Sequence, residues 1–304
     1  MKRIYVLAVA AALFIVAFSC NKKESANNTN DTILTGKVSI LVDETILPVI
    51  EEQVMVFESQ YNAKVTLVGK SETEIVKLLS EGKNDLAILT RELKQGEGNY
   101  FKQKKINPKV TTFATDGIAF ISDKSNSNKK IDLNDVVAFM KGDNQKMSGL
   151  VFDNANSSTV KYFMDMAKVT TLPTKNIYSF NTNNEVIKFV SENPGTIGIV
   201  GVNWLMQPMP DFQSTVDKVS VLEVKANNGT FALPTQDHMA SGIYPVTRQI
   251  KMLNYQGYSG LGMGFASFVA GEIGQRIILK SGLVPVRMPG RNLIIRKEIE
   301  KENK

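Results

Sequence analysis

Three short segments, Lys37–Val42 (KVSILV), Val65–Gly69 (VTLVG) and Asp85–Thr90 (DLAILT), are apolar almost throughout, and helix-length stretches separate them. A strand without polar alternation must be covered on both faces, and a parallel sheet obtains that cover from the helices between its strands. The pattern predicts helices over 46–60 and 72–80, and a helix or loop near 97–104. The alternation resumes after Val110, with a long strand over 112–122, a helix over 131–140 and a strand over 150–152. Helices over 157–167 and 184–191 follow, with a strand over 196–200 entered through the turn Asn193-Pro194-Gly195. Residues 203–216, with Pro208 and Pro210, read as irregular. A strand over 219–224, an extended segment over 243–254 and one helix over 264–280 complete the chain. The expected fold is α/β, with two lobes, each a mostly parallel sheet with helices on both faces, joined by extended crossovers near 110–122 and 243–254. The expected boundaries are residues 36–112 for the first part of lobe 1, 113–242 for lobe 2, and 243–304 for the return crossover and the rest of lobe 1.

The segment before Gly36 is of another kind. Lys2 and Arg3 precede an apolar run from Ile4 to Phe18, which ends at Ser19-Cys20 before a polar stretch. A basic start and an apolar span shorter than the ~20 residues needed to cross a bilayer read as an export signal. Residues 1–19 are thus expected to be a signal peptide and 20–35 a polar tether. Cys20 is the one cysteine of the chain, and Ala17-Phe18-Ser19-Cys20 resembles a lipobox, in which the cysteine is acylated. Ala17 stands where that pattern prefers a bulkier aliphatic residue. The expectation is an exported chain anchored to a membrane by lipidated Cys20, and a monomer.

Several chemistries lack their residues. The one histidine, His238, lies in a polar loop and offers neither a metal cluster nor a catalytic triad. Gly260-Leu261-Gly262-Met263-Gly264 departs from G-x-G-x-x-G, and no Gly-x-x-x-x-Gly-Lys-Ser/Thr loop occurs. The net charge of +6 is spread along the chain without interleaved aromatics, which argues against nucleic acid. No enzyme activity, metal or cofactor is expected.

The turns after the strands are more informative, because ligands of open α/β sheets lie beyond the carboxyl ends of the strands. Hydroxyls stand at or near four predicted helix starts: Thr45 after the first strand, Ser71 after the second, Thr90 beside Arg91 after the third, and Ser157-Ser158-Thr159 in the second block. Helix starts present unpaired N–H groups that favour anions, and neighbouring hydroxyls add neutral donors. Each is also an ordinary capping position, and Ser71-Glu72-Thr73-Glu74 has the capping-box pattern.

From about Gly36 to Val286 the chain resembles the phosphate-binding proteins of ABC-type transporters, in the type II periplasmic-binding-protein superfamily. The resemblance rests on KSETEIVKLLSEGKNDLAILTREL, ATDGIAF, NSST, NPGTIGIVGV, YPVTRQI and FVAGEIGQRIILKSGLVPV. It implies two lobes closing over a buried oxyanion, with ABC permease subunits as partners. Carried over, Thr45, Ser71, Thr90, Arg91, Ser157, Ser158 and Thr159 are the implied ligand residues. The chain departs from the family twice: Ser158 replaces a glycine, and Asp153 stands where the family has an arginine. The missing positive charge is then left to Arg91 or Lys70, or Asp153 accepts a proton from a protonated oxyanion, or the ligand differs: sulfate, molybdate or an organic anion. A lipid-anchored sensor or assembly protein that has lost transport is a further alternative.

Overall fold

The computed structural model describes residues 31–142, 147–226 and 228–290. The signal-peptide reading and Cys20 lie outside these residues. Among the described residues no helix is long and apolar enough to cross a membrane.

The first block forms as its apolar runs require. Strands β1 (Gly36–Asp43), β2 (Ala63–Lys70) and β3 (Leu86–Leu89) pair in parallel in the order β2-β1-β3. Helices α1 (Leu47–Gln60) and α2 (Glu72–Ser80) connect them, and a short α3 (Asn99–Gln103) follows β3. The long strand β4 (Lys109–Asp123) then carries the chain into the second block. That block continues with β5 (Lys130–Ile131), α4 (Leu133–Met140), β6 (Gly149–Phe152), α5 (Ser158–Ala167), β7 (Ile177–Ser179), α6 (Asn183–Glu192) and β8 (Thr196–Gly201). Here β7, β6 and β8 are parallel, and β8 runs antiparallel to β4. The predicted irregular stretch holds two short helices, α7 (Asn203–Met206) and α8 (Gln213–Val216). The strand expected over 219–224 is split into β9 (Val219–Val221) and β10 (Glu223–Lys225), the latter paired with β5 and β11 (Phe231–Ala232) in a small second sheet. After α9 (Gln236–Ala240), strand β12 (Thr247–Asn254) returns and lies antiparallel to both β3 and β4. The sheet is therefore mixed: parallel within each block, antiparallel where β4 and β12 join them.

Packing follows the same division. One core collects Ile40, Ile46, Phe57, Ile88, Phe113 and Phe265, and another collects Ile118, Phe120, Phe139, Phe152, Phe163 and Ile199. Strand β4 feeds both, through Phe113 and Ala114 on one side and Ile118 and Phe120 on the other. Phe57 meets Phe265 and Phe268 edge-on at centroid distances of 5.4 and 5.2 Å, contacts worth about 0.5–1.5 kcal/mol each beyond burial.

The single helix expected over 264–280 is two, α10 (Leu261–Ala270) and α11 (Glu272–Lys280). Gly271 breaks it in extended backbone (φ −81°, ψ 174°), ending one helix and beginning the next. Strand β13 (Val284–Pro285) then pairs with β4. Gly264 is required by close approach: a Cβ there would lie 1.6 Å from the carbonyl oxygen of Ile33, so the segment entering β1 runs directly over α10.

Candidate functional site

Three distant parts of the chain meet at one buried guanidinium. Arg248 lies in β12, where the burial alternation turns it inward on the face that also carries Ile250 and Met252. Asp116 of β4 is its register partner on the neighbouring strand, and the Arg248 Nε donates to Asp116 Oδ2 at 2.8 Å. The other two nitrogens point away from this pair. Nη1 donates to Ser158 Oγ at 2.8 Å and reaches Thr159 Oγ1 at 3.5 Å, and Nη2 donates to Thr45 Oγ1 at 3.1 Å. Thr45 and Ser158 hydroxyls are themselves 3.2 Å apart. Arg248, Asp116, Thr45, Ser158 and Thr159 are all buried.

Local structure fixes each hydroxyl. Thr45 sits in a 3-10 turn (Glu44–Ile46) after β1, and Asp43 Oδ1 accepts both its N–H, at 3.0 Å, and its hydroxyl, at 2.9 Å. Ser158 and Thr159 open α5, with Ser157 as N-cap, whose Oγ accepts from the Val160 N–H at 3.2 Å. The first-turn N–H groups of α5 and the positive end of its dipole therefore lie beside the Arg248 nitrogens.

Burial works against the Arg248 charge, but Asp116 and Asp43 more than offset it, so the guanidinium holds its proton more tightly than a free arginine. Burial likewise pushes the Asp116 carboxyl up, and Arg248 pulls it back. A buried pair of this kind gains little against apolar residues of the same volume, but breaking it is costly. Such a pair, buried where β4 and β12 join the two blocks, invites a functional explanation.

Asp153 stands one layer behind the hydroxyls. Its Oδ1 accepts from Ser157 Oγ at 2.5 Å and its Oδ2 from Asn183 Nδ2 at 3.2 Å, so it braces the cap of α5. Burial, and then the nearby Asp43 charge, raise its pKa to about 7 against the bond from Ser157.

The structure thus brings together Thr45, Ser158 and Thr159, with Ser157 and Asp153 behind them. It commits Ser71 and Arg91 elsewhere. The Ser71 hydroxyl caps α2, accepting from the Glu74 N–H and donating to the Glu74 carboxylate. The Arg91 guanidinium is held between Glu72, at 2.8 Å, and Glu97, at 2.7 Å. Lys70 pairs with Glu74 near the surface. Thr90 is buried at the end of β3, and among the described residues no hydrogen bond joins it to the Arg248 group. The cation in contact with the hydroxyls is Arg248, which sequence reasoning missed. Its signal was present: Asp116 and Arg248 are opposite charges set singly into inward-facing positions of two long extended segments.

Residues 24–272 match the family model described as a PBP superfamily domain, across most of the chain. The chain belongs to the PBP superfamily. A PBP-superfamily domain is a solute-binding, non-catalytic fold, and among the described residues no group of three or more His, Cys, Asp or Glu side chains is placed to hold a metal ion. Solved structures of the superfamily share the fold at low identity. One, from Clostridium perfringens, is described as a phosphate ABC transporter substrate-binding protein with bound phosphate: it is 22% identical, the match covers 83% of this chain and 100% of that one, and the TM-score is 0.66. An ABC-type phosphate transport receptor from Vibrio cholerae is 18% identical over 82% of this chain and 100% of its own, with a TM-score of 0.63. A substrate-binding domain from Clostridium difficile, described as belonging to a molybdenum ABC transporter, is 14% identical over 83% and 99%, with a TM-score of 0.51. No curated protein compared with the sequence matches it.

Proposed function

We propose that this PBP-superfamily protein is an exported, lipid-anchored binding protein that captures inorganic phosphate, or a closely similar tetrahedral oxyanion, for an ABC-type importer. The observation that carries the reading is the convergence of Arg248, Thr45, Ser158 and Thr159. A guanidinium fork, the hydroxyls of Ser158 and Thr159 and a helix start are the donors that suit a small anion with several acceptor oxygens, and the Thr45 hydroxyl would join them by turning its proton from Asp43 to the anion. The resemblance to phosphate-binding proteins supports phosphate over other anions. Arg248 supports the reading despite Asp153, because its guanidinium reaches the same hydroxyls from another strand.

Thr45 belongs to the first block and Ser158 to the second, so the solute would be enclosed as the blocks come together on β4 and β12. Titration calorimetry with phosphate, sulfate and molybdate tests the ligand. Saturable heat with phosphate, stronger than with the other two, is the expected result; no heat from any at about millimolar concentration, with the protein folded, would sink the reading. The anchor rests on Lys2 to Cys20. The mass of the mature N-terminal peptide should show chain beginning at an acylated Cys20; an uncleaved or unmodified start would remove the anchor from the account.

A further inference from the structure

The one tryptophan of the chain touches the proposed anion site from behind. Trp204 lies in α7, directly after β8, and its Nε1–H donates to the backbone carbonyl of Thr45 at 2.7 Å. Asn203 Nδ2 approaches the same carbonyl at 3.5 Å. The chain must come close for this: a Cβ on Gly201 would stand 2.5 Å from Asn203 Oδ1, 3.3 Å from Trp204 Cδ1 and 3.5 Å from the Thr45 carbonyl oxygen.

Thr45 is thereby gripped on all sides. Asp43 holds its N–H and hydroxyl within the first block, Arg248 and Ser158 contact the hydroxyl, and Trp204 of the second block holds the carbonyl. An indole N–H has one donor and no acceptor function, so this contact can only be made to an acceptor such as that carbonyl. A hydroxyl ligand is useful in proportion to how well its direction is fixed before binding.

We propose that Trp204 is a positioning residue for the anion site: its bond to the Thr45 carbonyl sets the direction of the Thr45 hydroxyl and ties the block that carries Thr45 to the block that carries Ser158. The inference rests on the anion-site reading above. The bond spans the two blocks, so its loss acts on release of the solute more than on its capture.

The test uses the full mature chain and phosphate as probe. Trp204→Phe keeps an aromatic ring and removes the N–H donor. It is expected to raise the Kd for phosphate about 3- to 10-fold, the range for one neutral hydrogen bond, with the change in koff rather than kon. The same substitution in a Thr45→Ala background should have a clearly smaller effect, because the hydroxyl it positions is gone and only the tie through the backbone carbonyl of residue 45 remains. A purely structural tryptophan would weaken both backgrounds alike. In the unsubstituted protein, the single indole N–H resonance should exchange slowly with solvent, a readout that needs neither ligand nor variant. Phosphate binding unchanged by Trp204→Phe, equal weakening in both backgrounds, or an indole proton that exchanges freely would each overturn the inference while leaving the anion site standing. Absence of phosphate binding by the unsubstituted protein would instead overturn the site reading, and the inference with it.

Discussion

Arg248→Met is expected to abolish phosphate binding and to destabilise the fold by about 3–5 kcal/mol, the range for removing one partner of a buried ion pair. The two effects have separate causes. Binding is lost because the nitrogens that reach Thr45, Ser158 and Thr159 are gone, and bonds to a charged donor are worth about 1.5–3 kcal/mol each, so affinity should fall at least about 100-fold. Stability is lost because Asp116, fully buried, is left without its cation. Adding Asp116→Asn removes that stranded charge. The double variant should therefore recover most of the stability, measured by urea denaturation, and none of the affinity, measured by calorimetry. An Arg248→Met protein that binds phosphate within about 3-fold of normal would show that the anion lies elsewhere.

Asp153→Asn should make the protein more stable above neutral pH, and the sign follows from where the carboxyl sits. Its pKa is about 7 in the fold against an ordinary 3.8, so between about pH 4 and 7 the folded chain keeps a proton that the unfolded chain has released. Stability accordingly falls as pH rises through that window and levels off above it. At 1.36 kcal/mol per pH unit the loss is about 4 kcal/mol at most. Asparagine is neutral like the protonated acid, and its carbonyl can accept from Ser157 Oγ as Asp153 Oδ1 does, leaving the bond that Oδ2 accepts from the Asn183 amide to rearrange. Urea denaturation from pH 4 to 8 should show the decline in the natural protein and its absence in the variant; parallel curves would mean that Asp153 is ionised in the fold at all these pH values. Binding should respond in the same sense. Sulfate, which does not titrate here, should bind the natural protein more weakly above pH 7 and the variant equally on both sides.

Much of the fold can be read from the local pattern, and the reasons are local too. Apolar runs such as Ile40–Val42 and Leu86–Leu89 are buried because they lie in the interior of a covered sheet, and that burial dictates their composition. Helix starts at Ser71 and Ser157 were legible because a capping hydroxyl acts on N–H groups three residues away. Their use was not equally legible. Ser71 is occupied by Glu74, whereas Ser157 leaves Ser158 and Thr159 turned toward Arg248. Pairings made by register between remote strands escaped the reading, above all Arg248 with Asp116, 132 positions apart. Nothing in either segment named the other. The break at Gly271 was missed because flanking residues on both sides favour helix, and only the packing of Gly274 against the Phe268 carbonyl reveals the turn.

The central claim is that an oxyanion is held by Arg248 with the hydroxyls of Thr45, Ser158 and Thr159. A crystal structure of the mature chain grown with phosphate at a saturating concentration tests it most directly. The account predicts tetrahedral density within about 3 Å of the Arg248 nitrogens and of those hydroxyls, beside the start of α5. Phosphate bound at Arg91, or at any site that leaves the Arg248 group untouched, would contradict it.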